Sequence, residues 1–225
     1  SRYVQKLLTY LPQVDHTLSL VAFLGDARAR FAGWDERISR WPTQRPAVRI
    51  LWEQLAQPWQ AVRERLDLLH VPGWVGPLVA PCPLVVTIHD LSFFVYPELF
   101  RPFNRAYLQR FTPRTARRAA RVIVSAESTR TDVLRILGLP PEKVVMIPDG
   151  VGEEMAPIED RAWVEAWRRR RGLPERMILF LGTLEPRKNI VTLLEAYALL
   201  RRRRGFAHRL VVAGGQGWYY ERIYA

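Results

Sequence analysis

Apolar positions change their period several times along this chain, and each change marks an element. Tyr3, Val4, Leu7, Leu8 and Leu11 recur at helical spacing, which predicts a helix from Arg2 to Leu11 closed by Pro12. Leu18–Leu24 is a short apolar run that reads as a strand stopped by Gly25 and Asp26. From Arg28 to Pro46 there is no period, and with Trp34 and Trp41 among polar residues the stretch reads as an irregular surface segment. Trp52–Leu66 returns to helical spacing, and Leu68–Val71 is a short strand turned by Pro72, Gly73 and Trp74. Leu84–Ile88 is continuously apolar and rich in β-branched residues, the signature of a central parallel strand. Pro97 to Arg121 is mostly helical with breaks expected at Pro102 and Pro113. Val122–Val124 is a further buried strand, Ser125 caps a helix over Ala126–Leu137, and Lys143–Ile147 is the last strand of a first domain.

Pro148-Asp149-Gly150-Val151 then punctuates the chain, and Asp149 and Gly150 read as a hinge. Glu159–Arg171 is an amphipathic helix stopped by Gly172. Met177–Phe180 and Leu210–Ala213 are strand-like, and between them Ile190, Leu193, Leu194, Tyr197 and Leu200 share one helical face. Alternating strands and helices predict an α/β protein. Its expected domains are 1–150, a linker and helix at 151–175, and the start of a second domain at 176–225.

Candidate chemistry gathers where strands end. The stretch Leu181–Ile190, LGTLEPRKNI, lies between a strand and a helix, where unpaired N–H groups and the helix dipole welcome an anion. Arg187 and Lys188 add two charges there, a fork and a point charge that suit a diphosphate, with Asn189 as the expected N-cap. The alternative for these two cations is simple solvation. His89 and Asp90 sit at the carboxyl end of Leu84–Ile88, the edge at which open α/β sheets bind ligands. There a histidine can hydrogen-bond a ligand hydroxyl and the carboxylate can orient a ligand or the following loop; both could instead satisfy loop backbone. Trp74 could stack on a ligand ring at the mouth of a cleft or anchor its loop. Gly214 and Gly215, in a GGQG turn, could bring backbone N–H groups to a phosphate or serve only a tight turn.

Five stretches, in order, carry a family resemblance. VVTIHDLSFFVYPELF at Val85–Phe100, RVIVSAESTRTDVLRILG at Arg121–Gly138, VVMIPDGV at Val144–Val151, GTLEPRKNIVTLLEAYALL at Gly182–Leu200 and HRLVVAGGQGW at His208–Trp218 resemble the retaining glycosyltransferases of family 4, a group rich in bacterial mannosyltransferases. That resemblance implies a GT-B fold, two Rossmann-like domains with parallel sheets, the second incomplete in this chain. It implies an enzyme, a hexosyltransferase moving mannose from GDP-mannose to a polysaccharide or lipid-linked acceptor with retention. It makes His89 and Asp90 catalytic-cleft residues, assigns Arg187, Lys188 and Gly182 to the donor diphosphate, and turns Ser125, Gly214 and Gly215 toward the cleft. For Ser125, capping alone is the plainer reading. The nucleotide-sugar is substrate, so neither cofactor nor metal is implied.

Departures from the family pattern matter too. Asp149 stands where the family usually has Asn. The strand and glycine-rich loop that precede the family's first helix are not in the sequence, and no glutamate has another eight positions on to supply the family's later acidic pair. The expectation is a fragment, inactive by itself.

Composition narrows the partners. Of 225 residues 48% are hydrophobic and 25% charged, as in a globular protein, and the single cysteine, Cys82, cannot form an internal disulfide framework. No apolar run reaches the roughly 20 residues of a membrane span. The net charge of +12 invites a polyanion. Yet Arg168–Arg171 and Arg201–Arg204 sit at predicted helix ends, where cations complement the dipole, and aromatics do not interleave with them as a base-stacking surface needs. Solvated helix ends are favoured, an anionic membrane surface stays open, and nucleic acid is not expected. The implied location is cytoplasmic, with peripheral attachment to the inner membrane face left open. Competing readings are a basic nonenzymatic polyanion- or membrane-binding module, or another GT-B or Rossmann sugar-nucleotide enzyme; a nicotinamide enzyme is disfavoured because no G-x-G-x-x-G follows a predicted strand.

Overall fold

The computed structural model describes residues 2–25, 31–203 and 205–224. It divides into two compact units, Ser1–Gly152 and Glu153–Ala225. The first unit runs α1 (Arg2–Val14), β1 (Val21–Leu24), β2 (Asp35–Ile38), α2 (Pro46–Leu51), a π-helical turn (Trp52–Ala56), α3 (Gln57–Arg63), β3 (Leu69–Val71), β4 (Leu84–Ile88), α4 (Ser92–Val95), α5 (Pro102–Arg118), β5 (Arg121–Val124), α6 (Glu127–Leu137) and β6 (Val144–Met146). The second holds α7 (Arg161–Arg170), β7 (Met177–Leu181), α8 (Ile190–Arg201), β8 (Arg209–Ala213) and α9 (Glu221–Tyr224).

Every named strand pair is parallel. The central sheet is ordered β3-β4-β5-β6, while β1 pairs β2 and β7 pairs β8. β4 lies between two neighbours and is buried on both faces, with Val86 and Ile88 at 0% exposure, which is why its sequence is an unbroken apolar run. Val122 and Val124 of β5, Ala116 of α5 and Val133 and Leu137 of α6 close over it as one cluster. Each such buried valine or leucine contributes roughly 1.5–3 kcal/mol.

Tertiary partners move several element boundaries. Pro12 does not end α1 but lies within its last turn. It has no N–H to return to Leu8, and the indole Nε1 of Trp34 donates to that carbonyl instead, at 2.7 Å. The segment expected to be irregular therefore contains both this anchor and β2, which pairs with β1 from Val21↔Asp35 to Leu24↔Ile38; its residues 28–30 lie outside the described ones. The second helical stretch begins at Pro46 rather than Trp52, and the π turn precedes Pro58, the residue that cannot supply an intrahelical N–H. Pro102 opens α5 at its first position. Pro113 does not break it, since Thr112, Thr115 and Ala116 on either side are fully buried and hold the helix in place. Ser125 is not a cap: Ala126 takes that position without a side-chain bond, and α6 begins at Glu127.

In the second unit Asp160 caps α7 by accepting from the Trp163 N–H at 2.9 Å. Three of the arginines at the end of α7 have partners. Arg168 and Arg169 both bind Glu165, pulling its carboxyl down to about 2, and Arg171 lies over the Trp167 ring at 4.9 Å. Arg204 of the second basic cluster lies outside the described residues.

Candidate functional site

In the first unit the candidate residues gather at the carboxyl end of β4. Thr87 lies near the end of β4 and His89 directly follows its last residue, and both meet Tyr3. The half-buried His89 ring is met edge-on by Tyr3 of α1, centroids 4.9 Å apart at 81°, and by Trp74, at 5.4 Å and 73°. Its Nε2 lies 3.3 Å from the Pro72 carbonyl oxygen. That oxygen only accepts, so Nε2 carries the proton, and in the tautomer this bond selects Nδ1 is the acceptor. Thr129 of α6 donates its hydroxyl to the His89 carbonyl at 3.2 Å. The imidazole is thus met by Tyr3, Pro72 and Trp74, and Thr129 holds the backbone behind it.

Asp90 serves the following loop. Its Oδ1 accepts from the Ser92 N–H at 3.0 Å and from the Ser92 hydroxyl, holding the start of α4. Trp74 acts as a loop anchor: its indole N–H donates to the Asp90 carbonyl at 2.7 Å. Beneath this cluster the Thr87 hydroxyl lies 3.2 Å from the Tyr3 hydroxyl and 2.9 Å from His70 Nε2. Burial drives His70 below the ordinary histidine value of 6.5, keeping it neutral at pH 7. Tyr3, Thr87 and His70 carry no signal of this role in the sequence, because the network joins three separate elements. Ser125 is half-buried at the end of β5, where it caps nothing.

In the second unit, Pro186–Lys188 forms a single 3-10 turn between β7 and α8. Glu185 is 3% exposed, and its Oε1 accepts from Arg187 Nε at 3.1 Å. A buried carboxylate therefore fixes the root of the guanidinium, while Lys188 is exposed beside it. Asn189 occupies the N-cap position in a left-handed conformation, φ 50° and ψ 41°, with no side-chain bond to the helix backbone; its Oδ1 accepts from the Thr192 hydroxyl at 2.8 Å.

The GGQG turn packs backbone against backbone. Leu184 N donates to Gly215 O at 2.9 Å and Gly217 N to Leu184 O at 3.0 Å, which prolongs the β7–β8 pairing. A Cβ on Gly214 would collide with the Gly182 carbonyl, so this close approach is what requires glycine there. Asp149 and Gly150 are exposed and outside regular structure. Among the described residues, no group of three or more His, Cys, Asp or Glu is placed to hold a metal ion, and no helix is long and apolar enough to cross a membrane.

Comparison with known proteins puts these features in context. An O-antigen chain mannosyltransferase B of Escherichia coli is 27% identical over 183 residues, covering 80% of this chain and 47% of that protein. A serotype-specific mannosyltransferase WbdA of Escherichia coli is 32% identical over 127 residues, 53% of this chain and 15% of its own length. A D-inositol 3-phosphate glycosyltransferase of Kineococcus radiotolerans is 30% identical over 172 residues, 66% of this chain and 37% of that protein. The chain therefore spans about half the length of the first of these relatives and less of the others. Among solved structures, Anabaena Alr3699/HepE in complex with UDP superimposes with a TM-score of 0.56 over 99% of this chain and 59% of its own, at 17% identity, a likeness of fold. With its parallel α/β units the chain has the GT-B type of fold. Residues 1–154 match the description Glycosyltransferase Family 4, and on that match the chain belongs to glycosyltransferase family 4.

Proposed function

We propose that the protein transfers a hexose from a nucleotide-sugar to a hydroxyl of a polysaccharide or lipid-linked acceptor, with retention at the anomeric carbon and mannose from GDP-mannose as the donor. The observation that carries this reading is the Glu185–Arg187–Lys188 turn at the start of α8, where a guanidinium rooted in a buried carboxylate and an exposed ammonium stand together. Negative charge grows on the nucleoside diphosphate as it departs, and a guanidinium held by Glu185 with an ammonium beside it at a helix start opposes that charge. Gly182, Gly214 and Gly215 form the neighbouring backbone. His89, through Nδ1, accepts a hydroxyl of the sugar, and Asp90 keeps the loop after it in place. Asp149 and Gly150 serve as the hinge, a role that their exposure and lack of regular structure favour. The mannosyl names of the relatives favour GDP-mannose; the UDP in the HepE complex makes the uridine nucleotide the proper rival.

An anionic membrane surface is a second partner in this reading, and one observation favours it. Leu51, Leu55, Trp59 and Val62, all more than half exposed, follow one another along α2, the π turn and α3, with Arg63 over the Trp59 ring at 5.7 Å. Apolar side chains beside arginines suit a negatively charged lipid surface. This would place the protein peripherally on the cytoplasmic face.

Calorimetric titration with GDP, UDP and ADP tests the donor. Because Arg187 also partners a buried carboxylate, Lys188→Ala is the cleaner variant, and Arg187→Ala is its companion. GDP binding that weakens about tenfold in Lys188→Ala supports the reading. Absence of binding by all three nucleotides overturns it.

A further inference from the structure

Of the groups that hold His89, Tyr3 is the one that depends on a second layer of buried polar atoms. It is the second residue of α1, in a first turn whose N–H groups lack intrahelical partners and which frays unless tertiary contacts fix it. Two contacts do so. The ring meets His89 edge-on at 4.9 Å, and the hydroxyl lies 3.2 Å from Thr87 Oγ1. Thr87 is 1% exposed, and its oxygen also lies 2.9 Å from His70 Nε2, on the neighbouring strand β3. One threonine hydroxyl therefore joins a phenol to an imidazole. Since it has a single proton and two lone pairs, it can donate to only one of the two and must accept from the other wherever both bonds are made. Such a chain inside a sheet is satisfied only when all three members stay in place.

We propose that Tyr3 is a positioning residue for His89, and that the buried Thr87–His70 pair is the anchor that fixes it. The pair holds the phenol, the phenol edge closes one side of the His89 ring, Trp74 closes the other, and Pro72 O keeps the proton on Nε2. Nδ1 is then presented in one orientation as a hydrogen-bond acceptor. The functional consequence rests on the reading of His89 as a contact to the sugar. A purely packing role for Tyr3 makes a different claim, because phenylalanine would then replace it without effect.

The test labels histidine with nitrogen-15 in the intact protein and follows the imidazole ring signals by NMR. In the unaltered protein His89 shows a single tautomer protonated at Nε2. Tyr3→Phe and Thr87→Val each loosen the phenol edge, so that the His89 ring leaves Pro72 O part of the time and the second tautomer exchanges in, and the double variant goes no further than either alone, as expected for one chain of bonds. The exposed His16 and His208 keep their signals in all variants as internal references, and an unchanged urea midpoint reports the intact fold. Unchanged His89 signals in Tyr3→Phe overturn the proposal, as do additive effects in the double variant. Should Thr87→Val fail to fold, Tyr3→Phe, altered only at a hydroxyl on the first turn, decides alone. In transfer assays the same variant raises KM for the sugar substrate about fivefold, the worth of one ordinary hydrogen bond, with kcat nearly unchanged. Failure to transfer a sugar from any nucleotide-sugar would remove the assigned role of His89 while the ring signals still decide the anchor.

Discussion

The Tyr107 hydroxyl donates to Glu53 Oε2 at 2.7 Å and ties α5 to the π turn 54 residues earlier. Glu53 is largely withdrawn from water, which raises its carboxyl above the usual 4.5, while this bond and the Arg49 guanidinium pull it back. The same environment raises the Tyr107 phenol, first through burial and then through the Glu53 charge.

Tyr107→Phe leaves that carboxylate without its neutral donor. The expected cost to the first unit is about 1–3 kcal/mol at neutral pH. A folded-state value above 4.5 means that the folded protein binds the extra proton, so the penalty is largest above the folded value and fades as the pH falls through it. Urea unfolding at about pH 8 and about pH 5 should therefore show the larger loss at the higher pH.

His70 has the opposite sign. Burial lowers its value below 6.5, so the unfolded chain takes up the proton first. The stability linked to it is fully present above that ordinary value and is lost as the pH falls from 6.5 toward the folded value. His70→Gln should flatten this part of the stability profile between about pH 7 and pH 5, measured as the urea midpoint against pH.

Trp34→Phe removes the N–H that meets the Leu8 carbonyl next to Pro12 while keeping an aromatic ring. Leu8 is 7% exposed, so water cannot easily replace the bond, and the expected loss is about 1–3 kcal/mol. Thermal unfolding reads it directly. Amide exchange should rise first in the last turn of α1.

Gly214→Ala places a methyl group against the Gly182 carbonyl, which is backbone and cannot step aside. Separation of the ends of β7 and β8 should cost about 1–3 kcal/mol. Faster exchange of the Gly182 amide, which now donates to Ala213 O at 3.0 Å, locates the damage. Unchanged exchange there would contradict the close approach.

Much of the fold was legible in the sequence because period and apolarity are local. β4 coincides with the apolar run Leu84–Ile88, and the half-buried or buried face of α8 is Ile190, Leu193, Leu194, Tyr197 and Leu200 as the spacing indicates. β2 was not legible. Asp35-Glu36-Arg37-Ile38 has no strand signal of its own and becomes a strand through pairing with β1. Proline rules misplaced the end of α1 for a related reason: whether the orphaned carbonyl is tolerated depends on Trp34, 26 residues away from Leu8.

The candidate site divides along the same line. Sequence by itself determined the family, the strand ends that carry His89 and Asp90, and the basic loop of Arg187 and Lys188, since each is written in a contiguous stretch. Only the tertiary structure decided what those side chains meet. It put Glu185 rather than solvent against Arg187, used Asp90 to hold α4, and surrounded His89 with Tyr3, Pro72 and Trp74. The physical reason is that a residue's backbone preference is set by its neighbours in the chain. The partner and exposed nitrogen of an imidazole are set by whichever elements the hydrophobic core brings beside it.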